Sequence, residues 1–387
     1  MLSRINLLRG SLLLIAVLYG VELLDELIYG LDSAALPYLR NEFALTYTQV
    51  GLLFTLPGLL ALLLDPVVGL LGDTRHRRLL VVGGITATLC GLVLIGVAQS
   101  YGALLFAFCV MYLASGAYVN LSQATLIDRN PARAEHTMAR WTLLGSIGVA
   151  AAPLLLTVLF AIGTSWRGAY LALAVIAGLF AVLLIRQRFD SHNGADDEAA
   201  SPLTLSRTLI VALRNRTLLK WIILTELADF MLDKLLEVTG LYFHDVAGVS
   251  LAGASAAVAV STLAGLLGNA LIVPALERLR GVRVLRVSAV VVLIAYVAFL
   301  IVPVVAIKYA LIAVIAFSTS GWFAILRTKC FEVLPGQSGL VIAVTSLANV
   351  SSLFVPVIVG GIADAIGLQA AMWVLAIGPV ALILGVR

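Results

Sequence analysis

Apolar residues run along this chain in twelve long stretches, separated by short polar connections. Each stretch reaches the length of about 20 residues that a helix needs to cross the hydrocarbon core of a bilayer. The pattern therefore predicts an all-α membrane protein with twelve transmembrane helices. The predicted spans lie near residues 10–38, 47–72, 79–99, 102–127, 137–162, 166–187, 218–243, 250–275, 284–303, 305–331, 338–362 and 366–386.

One long polar segment interrupts this pattern, between the sixth and seventh spans. It predicts an N-terminal six-helix bundle over residues 1–188, a cytoplasmic linker over 189–217 and a C-terminal six-helix bundle over 218–387. Within and just beyond the linker, residues 203–219 alternate arginines with leucines and isoleucine. That alternation is typical of an amphipathic helix lying on the membrane surface.

The composition excludes several classes of protein. Hydrophobic residues make up 61% of the chain, charged residues 12%, and the mean hydropathy is +1.08, whereas a soluble domain carries about 25% charged residues. The three cysteines lie singly in apolar runs, so we interpret them as packing residues rather than metal ligands. We expect no enzymatic activity, no metal and no cofactor. Because no phosphate-binding loop is present, we expect the proton gradient, not ATP, to drive the protein.

The basic residues indicate the orientation in the membrane. With a cytoplasmic N-terminus, 21 of the 25 lysines and arginines fall on the cytoplasmic side, as the positive-inside rule requires. The sequence thus predicts a multi-pass protein of the bacterial inner membrane with both termini in the cytoplasm. The basic balance reflects this topology, so we expect no nucleic-acid partner.

The two halves of the chain are related by an internal repeat. An offset of 204 residues superimposes acid on acid at four places, and also tyrosine on tyrosine and proline on proline. Both halves start on the same side, so the repeat is parallel, an arrangement that puts a substrate site between the halves at the membrane midplane. The matched pairs are Glu22 and Glu226, Asp25 and Asp229, Tyr38 and Tyr242, Asp73 and Glu277, Asp128 and Glu332, and Pro131 and Pro335.

Acidic residues at membrane depth are concentrated in the first and seventh spans. Such residues are costly there, so each one is a functional candidate. At about 100° per residue, the acids of each span fall on one face, within roughly 120° in the first span and 80° in the seventh. We predict that proton coupling or substrate binding uses Glu22, Asp25, Glu26 and Tyr29 of the first span and Glu226, Asp229, Asp233 and Lys234 of the seventh.

Four of these acids, Glu22, Asp25, Glu226 and Asp229, lie nearest the centres of their spans and are the candidate proton carriers. Lys234 is expected to neutralise Glu237, Asp233 or an acid of the first span. Asp32 and Glu237 are expected to lie in a water-filled outer vestibule. Further candidate ligands for a cationic cargo are Tyr112, Asn120 and Trp322.

The loop after the second span carries a recognisable signature. It reads GLLGDTRHRR over residues 69–78 and resembles the G-x-x-x-D-[RK]-x-G-[RK]-[RK] motif of the major facilitator superfamily. Gly69, Asp73, Arg77 and Arg78 match the motif, while Thr74 and His76 depart from it. The stretch 35–72 further resembles bacterial efflux proteins of the fosmidomycin-resistance type.

The resemblance implies a secondary transporter that works by alternating access. It also implies that the charged loop acts as a latch between conformational states. The gating residues expected on this basis are Gly69, Asp73, Arg77, Arg78, Asp128, Arg129, Glu277 and Glu332. The fourth span has Tyr112 where proton antiporters of the family carry an arginine, so their coupling mechanism does not transfer directly.

The acid-lined site favours positively charged cargo. We therefore expect a monomeric, proton-coupled exporter of a small cationic or amphipathic organic compound, in contact with the lipid bilayer. One alternative is an exporter of a divalent metal ion, because hard cations bind clustered carboxylates. Another is a lipid or lysolipid translocator, or a receptor built on the same scaffold.

Overall fold

The computed structural model describes residues 2–72, 76–129, 134–187, 215–276, 279–333 and 352–386. Within these ranges the chain is helical with short connections and has no β-strand. Nine helices in the described ranges are long and apolar enough to cross a membrane. They correspond to nine of the predicted spans, so the all-α membrane fold is confirmed.

The chain divides into two compact units. The first comprises Met1–Leu45 and Leu52–Asp196, and the second Thr46–Gly51 and Asp197–Arg387. The predicted linker 189–217 lies almost wholly outside the described residues and stays a prediction. The same holds for most of the surface helix 203–219 and for residues 338–351 of the eleventh span.

The first unit contains five complete helices and all of a sixth, α2, except its first five residues, which belong to the second unit. Small residues let some of them approach closely, as is common in membrane bundles. A Cβ added to Gly30 would lie 2.7 Å from the backbone oxygen of Val149, and one added to Gly148 would lie 2.6 Å from that of Leu23. The helices are α1 (Leu2–Phe43), α2 (Tyr47–Gly72), α3 (Arg77–Val97), α4 (Tyr101–Arg129), α5 (Ala134–Ala161) and α6 (Trp166–Ile185).

Helix α1 is longer than predicted, because it does not end near Pro37 but continues through it to Phe43. A proline inside a membrane helix is tolerated when neighbouring helices pack around the freed backbone group. Here Leu36 and Leu39, on either side of the proline, are fully buried.

The second unit is more interrupted than its hydropathy indicates. Its seventh span consists of two α-helices and two π-turns, in which the backbone N–H bonds to a carbonyl five residues back. The first four segments below form this span, and the others complete the second unit. In chain order they are α7 (Arg216–Asp229), π1 (Phe230–Lys234), α8 (Leu235–Leu241), π2 (Tyr242–Val246), α9 (Leu251–Leu276), α10 (Gly281–Ile301), α11 (Val305–Thr319), α12 (Trp322–Val333), α13 (Val355–Ile366), α14 (Leu368–Met372) and α15 (Ile377–Gly385).

The predicted tenth span is divided into α11 and α12 by a break at Ser320 and Gly321. Gly321 has a φ of +82°, a conformation that only glycine adopts without strain. The hydroxyl of Ser320 donates to the backbone oxygens of Gly265 and Ala316. The break is thus stabilised by hydrogen bonds that a hydropathy pattern does not reveal.

Within the second unit, Asp364 near the end of α13 caps the first turn of α2. Its two carboxylate oxygens accept from the backbone N–H groups of Tyr47 and Thr48, both at 2.8 Å. A carboxylate at a helix N-terminus satisfies free N–H groups and also interacts favourably with the helix dipole. Gly360 permits the contact, since a Cβ there would lie 2.3 Å from the backbone oxygen of Tyr47.

We expect Asp364→Ala to lower the free energy of unfolding by about 1 kcal/mol, the usual cost of losing a helix cap. Asp364→Asn should lose less, because its amide oxygen can still accept one bond. Thermal unfolding followed by tryptophan fluorescence in detergent measures both. Tyr47→Phe is the matched control, since it removes the hydroxyl bond to Asp245 and leaves the capped N–H group. An unchanged melting temperature in Asp364→Ala would contradict the cap.

Candidate functional site

The acidic face of α1 is enclosed by three other helices of the first unit. Asp25, halfway along α1, accepts hydrogen bonds at Oδ1 from the hydroxyls of Ser115 and Tyr118 on α4, both at 2.7 Å. Two hydroxyl donors offset part of the cost of removing a carboxylate from water. Among the described residues, the hydrogen-bond partners of Asp25 are therefore hydroxyls rather than basic side chains.

Glu22 and Glu26 lie against α5, where two glycines make room for them. A Cβ on Gly145 would lie 2.7 Å from Oε1 of Glu22, and a Cβ on Gly148 would lie 3.0 Å from Cβ of Glu26. Glu22 is only 5% exposed, although it is a carboxylic acid. Small residues on α5 thus determine where these two side chains can go.

Asp32 differs from its predicted environment. We expected water around it, but its side chain is 1% exposed and its Oδ1 accepts from the hydroxyl of Tyr170 on α6 at 2.7 Å. The prediction was wrong because helix α1 continues past Pro37 to Phe43, so Asp32 lies about three turns inside the helix end and is covered by α6.

The acids of the second unit lie on both sides of the π-turn π1. Lys234 ends this turn and pairs with Glu237, with 2.6 Å between Nζ and Oε1. Of the partners considered for Lys234, the structure thus selects Glu237. Glu237 is 4% exposed, so the expectation of a solvated position was wrong here too.

The π-turn also changes the geometry predicted for the seventh span. A π-turn contains more residues than an α-turn, so every later residue is rotated relative to an ideal α-helix. Burial also changes across the turn: Asp233 is exposed, whereas Glu237 is buried. Glu226 and Asp229 precede the turn, on the regular helix α7, and are both partly buried.

The other predicted ligands have different environments. Tyr112 is partly buried and stacks on Phe108, with ring centroids 6.3 Å apart, while Asn120 is exposed. Trp322 is fully buried and its indole donates to Ser288 at 2.7 Å. Such burial is typical of a packing residue, and the role predicted for Trp322 as a ligand stays a prediction. Tyr29 is partly buried on the acidic face of α1.

The gating residues are described only in part. Arg77 is 8% exposed; its guanidinium donates to the backbone oxygen of Gly72 and forms an ion pair of 2.6 Å with Asp128. It therefore links the end of α2, the start of α3 and the end of α4. Arg78 donates to the backbone oxygen of Ile185.

Asp73 and Glu277 lie outside the described residues, and Gly69 lies within α2. Arg129 is the last residue of α4, and Glu332 pairs with Lys329 on α12. In the described part of the chain, no group of three His, Cys, Asp or Glu side chains is arranged to hold a metal ion.

Several residues of the site were not found from the sequence. Ser115, Tyr170 and Gly145 shape the positions of Asp25, Asp32 and Glu22, yet none of them stands out in an apolar helix. Serines and glycines are common at packed helix contacts, so their roles become visible only from the contacts. The same is true of Gly116, where a Cβ would lie 2.3 Å from Oδ1 of Asp65.

Alanine substitutions at three glycines should distinguish an effect on helix packing from an effect on the position of a carboxylate. In Gly145→Ala the clashing atom is the end of a flexible side chain, so we expect Glu22 to move, with little loss of stability but altered proton binding. Gly148→Ala meets the backbone of Leu23 and should cost about 1–3 kcal/mol.

Gly83→Ala is the matched control, because nothing lies within 4 Å of the added Cβ; it should be neutral or stabilising by up to about 1 kcal/mol. Melting temperature and the pH dependence of transport are measured for all three variants. Wild-type pH dependence in Gly145→Ala would show that the position of Glu22 is unimportant.

Relatives of this chain are found by sequence. The sequence profile of the Major Facilitator Superfamily matches residues 21–349. The Fosmidomycin resistance protein of Escherichia coli (strain K12) is 31% identical over 168 residues, which are 43% of this chain and 40% of that relative's length. The Uncharacterized MFS-type transporter YfnC of Bacillus subtilis (strain 168) is 24% identical over 383 residues, covering 95% of this chain and 90% of the relative.

Solved structures share the fold. A bacterial homolog of the human lysosomal transporter Spinster, inward-facing and unoccupied, superimposes with a TM-score of 0.72 at 17% identity, covering 97% of this chain and 94% of that one. The nucleoside transporter NupG gives a TM-score of 0.73 at 14% identity, covering 96% and 97%. At such identities the likeness concerns the fold alone.

The profile match extends over most of the chain and agrees with the membrane-spanning helices and with the signature after the second span. A small molecule is therefore the substrate, and the bilayer surrounds the helices. The chain belongs to the Major Facilitator Superfamily and is a multi-pass secondary transporter of the bacterial inner membrane, not an enzyme.

Proposed function

We propose that this transporter is a proton-coupled exporter of a small organic cation or amphipathic compound. The observation that carries the proposal is the environment of Asp25. This carboxylate lies at membrane depth and is bound by two hydroxyls of α4. Because hydroxyls supply no charge, such a carboxylate can exchange a proton for a cationic cargo.

The exchange follows from simple electrostatics. An ionised carboxylate in a site of low dielectric attracts a cation much more strongly than it would in water. Protonation removes that charge and releases the cargo. Asp25, Glu22, Glu226 and Asp229 are the candidate carriers, and Tyr29, partly buried on the same face of α1, adds an aromatic side chain that suits an organic cation.

We propose export rather than import because one relative is named for fosmidomycin resistance, and resistance to a compound fits its removal from the cell. We propose that both termini lie in the cytoplasm, because that orientation puts most lysines and arginines on the cytoplasmic side. We further propose that the protein works as a monomer, by alternating access of one site to the two sides of the membrane.

Substitution of the acids tests the coupling. In purified protein we expect an organic cation to release protons into a weakly buffered medium, and Asp25→Asn, Glu22→Gln and Asp229→Asn to reduce that release. Truncating one partner of a desolvated charge pair costs about 2–5 kcal/mol, so cation affinity should fall by at least about tenfold in Asp25→Asn. The readouts are a pH-sensitive dye and calorimetric binding.

Glu42→Gln is the matched control. Glu42 pairs with Arg167 at 2.6 Å, at the end of α1, so its loss removes a carboxylate without touching the proposed site. Proton release by divalent metals alone would favour the metal exporter instead. Undiminished proton release in all three acid variants would rule out these three acids as carriers. If no cation causes proton release, a lipid or neutral cargo is favoured.

Substitutions of Arg77 test whether the charged loop after the second span controls the conformational state. We expect Arg77→Ala to shift the balance between inward-facing and outward-facing states while cargo binding is retained, because Arg77 links three helix ends. Arg77→Lys separates this role from membrane anchoring: lysine keeps the charge but cannot reach Gly72 and Asp128 together with one rigid fork. Distances between spin labels on the two halves measure the balance. A wild-type distribution in both variants would leave only an anchoring role.

A further inference from the structure

A second carboxylate of α1 has an environment unlike that of Asp25. Asp32 follows Asp25 by seven residues, or about two turns, so both point to the same side of the helix. The side chain of Asp32 is 1% exposed. It is therefore shielded from water much more completely than Asp25, which is only partly buried.

The two oxygens of Asp32 are not equivalent. Oδ1 accepts from the hydroxyl of Tyr170 at 2.7 Å. Oδ2 is fully buried and has no hydrogen-bond partner among the residues that the structure describes. Tyr170 is itself fully buried and packs edge-on against Trp166, with ring centroids 6.0 Å apart, so it is fixed in place as the donor.

The groups that face this pair are acids, phenols and apolar side chains. Asp25 on α1 lies close enough to Asp32, and Tyr112 on α4 close enough to Tyr170, for their charges to interact. Helix α5 contributes apolar residues, since Val149 and Ala152 contact Gly30.

On α6 the nearest cation is Arg167. Its guanidinium is bound to Glu42 and to the backbone oxygen of Gly96, not to Asp32. In the described part of the chain, no salt bridge reaches Asp32.

An ionised carboxylate in such a place would need more than one hydroxyl. Burying a charge without a counter-ion or a full set of donors is strongly unfavourable. A neutral carboxyl group fits the observed contacts, because Oδ1 can remain the acceptor from Tyr170 while Oδ2 carries the proton.

We propose that Asp32 and Tyr170 form a second proton-binding site, separate from the acids around Asp25, which holds a proton while α1 and α6 are packed together. Release of the proton breaks the O–H bond at Oδ2 and transfers the proton to water. The remaining carboxylate then requires water, which enters only when α1 and α6 separate. Proton binding at this site thereby favours the closed packing of the first unit.

Infrared difference spectroscopy tests the site without any cargo. We expect purified wild-type protein near neutral pH to show the C=O stretch of a buried protonated carboxyl group that exchanges slowly in deuterated water. Asp32→Asn should remove this component of the band. Tyr170→Phe should keep it but shift it to higher frequency, because the carbonyl oxygen loses its hydrogen bond.

Asp25→Asn is the control for assignment and should leave the slowly exchanging component in place. The amide of Asp32→Asn can still accept from Tyr170, so we expect it to fold; if it does not, the frequency shift in Tyr170→Phe decides the question. A band unchanged in both variants would overturn the proposal. Since no cargo is present, this result is independent of whether organic cations release protons at Asp25.

Discussion

The need to satisfy every charge within the protein is the constraint on which the first unit depends. In hydrocarbon there is no water to bind an exposed carboxylate, and α1 carries four acids at membrane depth. Their face must turn toward other helices, which fixes the rotation of α1. The neighbours then have to supply what the acids require: hydroxyls from α4 and α6, and space from the glycines of α5.

The two units meet this constraint in different ways, even though their acids are related by a repeat. In the first unit, Asp25 is bound by hydroxyls on a regular helix. In the second, Lys234 supplies a positive charge to Glu237 and the backbone forms a π-turn between the acids. At the offset of 204 residues Lys234 and Glu237 fall on Gly30 and Ser33, so the repeat relates Glu22 and Asp25 to Glu226 and Asp229 but does not extend to this ion pair.

The spans could be predicted because hydropathy reports directly on burial in the bilayer. The breaks at Ser320 and Gly321, and the π-turns, could not, since their hydrogen bonds involve residues distant in sequence or compete closely with the α-helical alternative. The environment of the acids was also hidden. The hydroxyls that bind Asp25 and Asp32 come from residues 90 to 138 positions away, and serines and tyrosines in apolar helices carry no mark of such a partner. The solvated position assigned to Asp32 was wrong for this reason, whereas Glu237 is buried together with Lys234, its ion-pair partner three residues away.

This difference between the units bears on which acids can respond to cargo. A carboxylate that is paired with a fixed lysine is already neutralised, so a cation gains little by approaching it and must compete with Nζ at 2.6 Å. Hydroxyl donors stabilise a carboxylate but leave its net charge available. Asp25 therefore keeps a charge that either a proton or a cationic cargo can neutralise, whereas Glu237 does not. On these grounds we expect the exchange to involve Asp25 in the first unit and, in the second, Glu226 and Asp229 rather than Glu237.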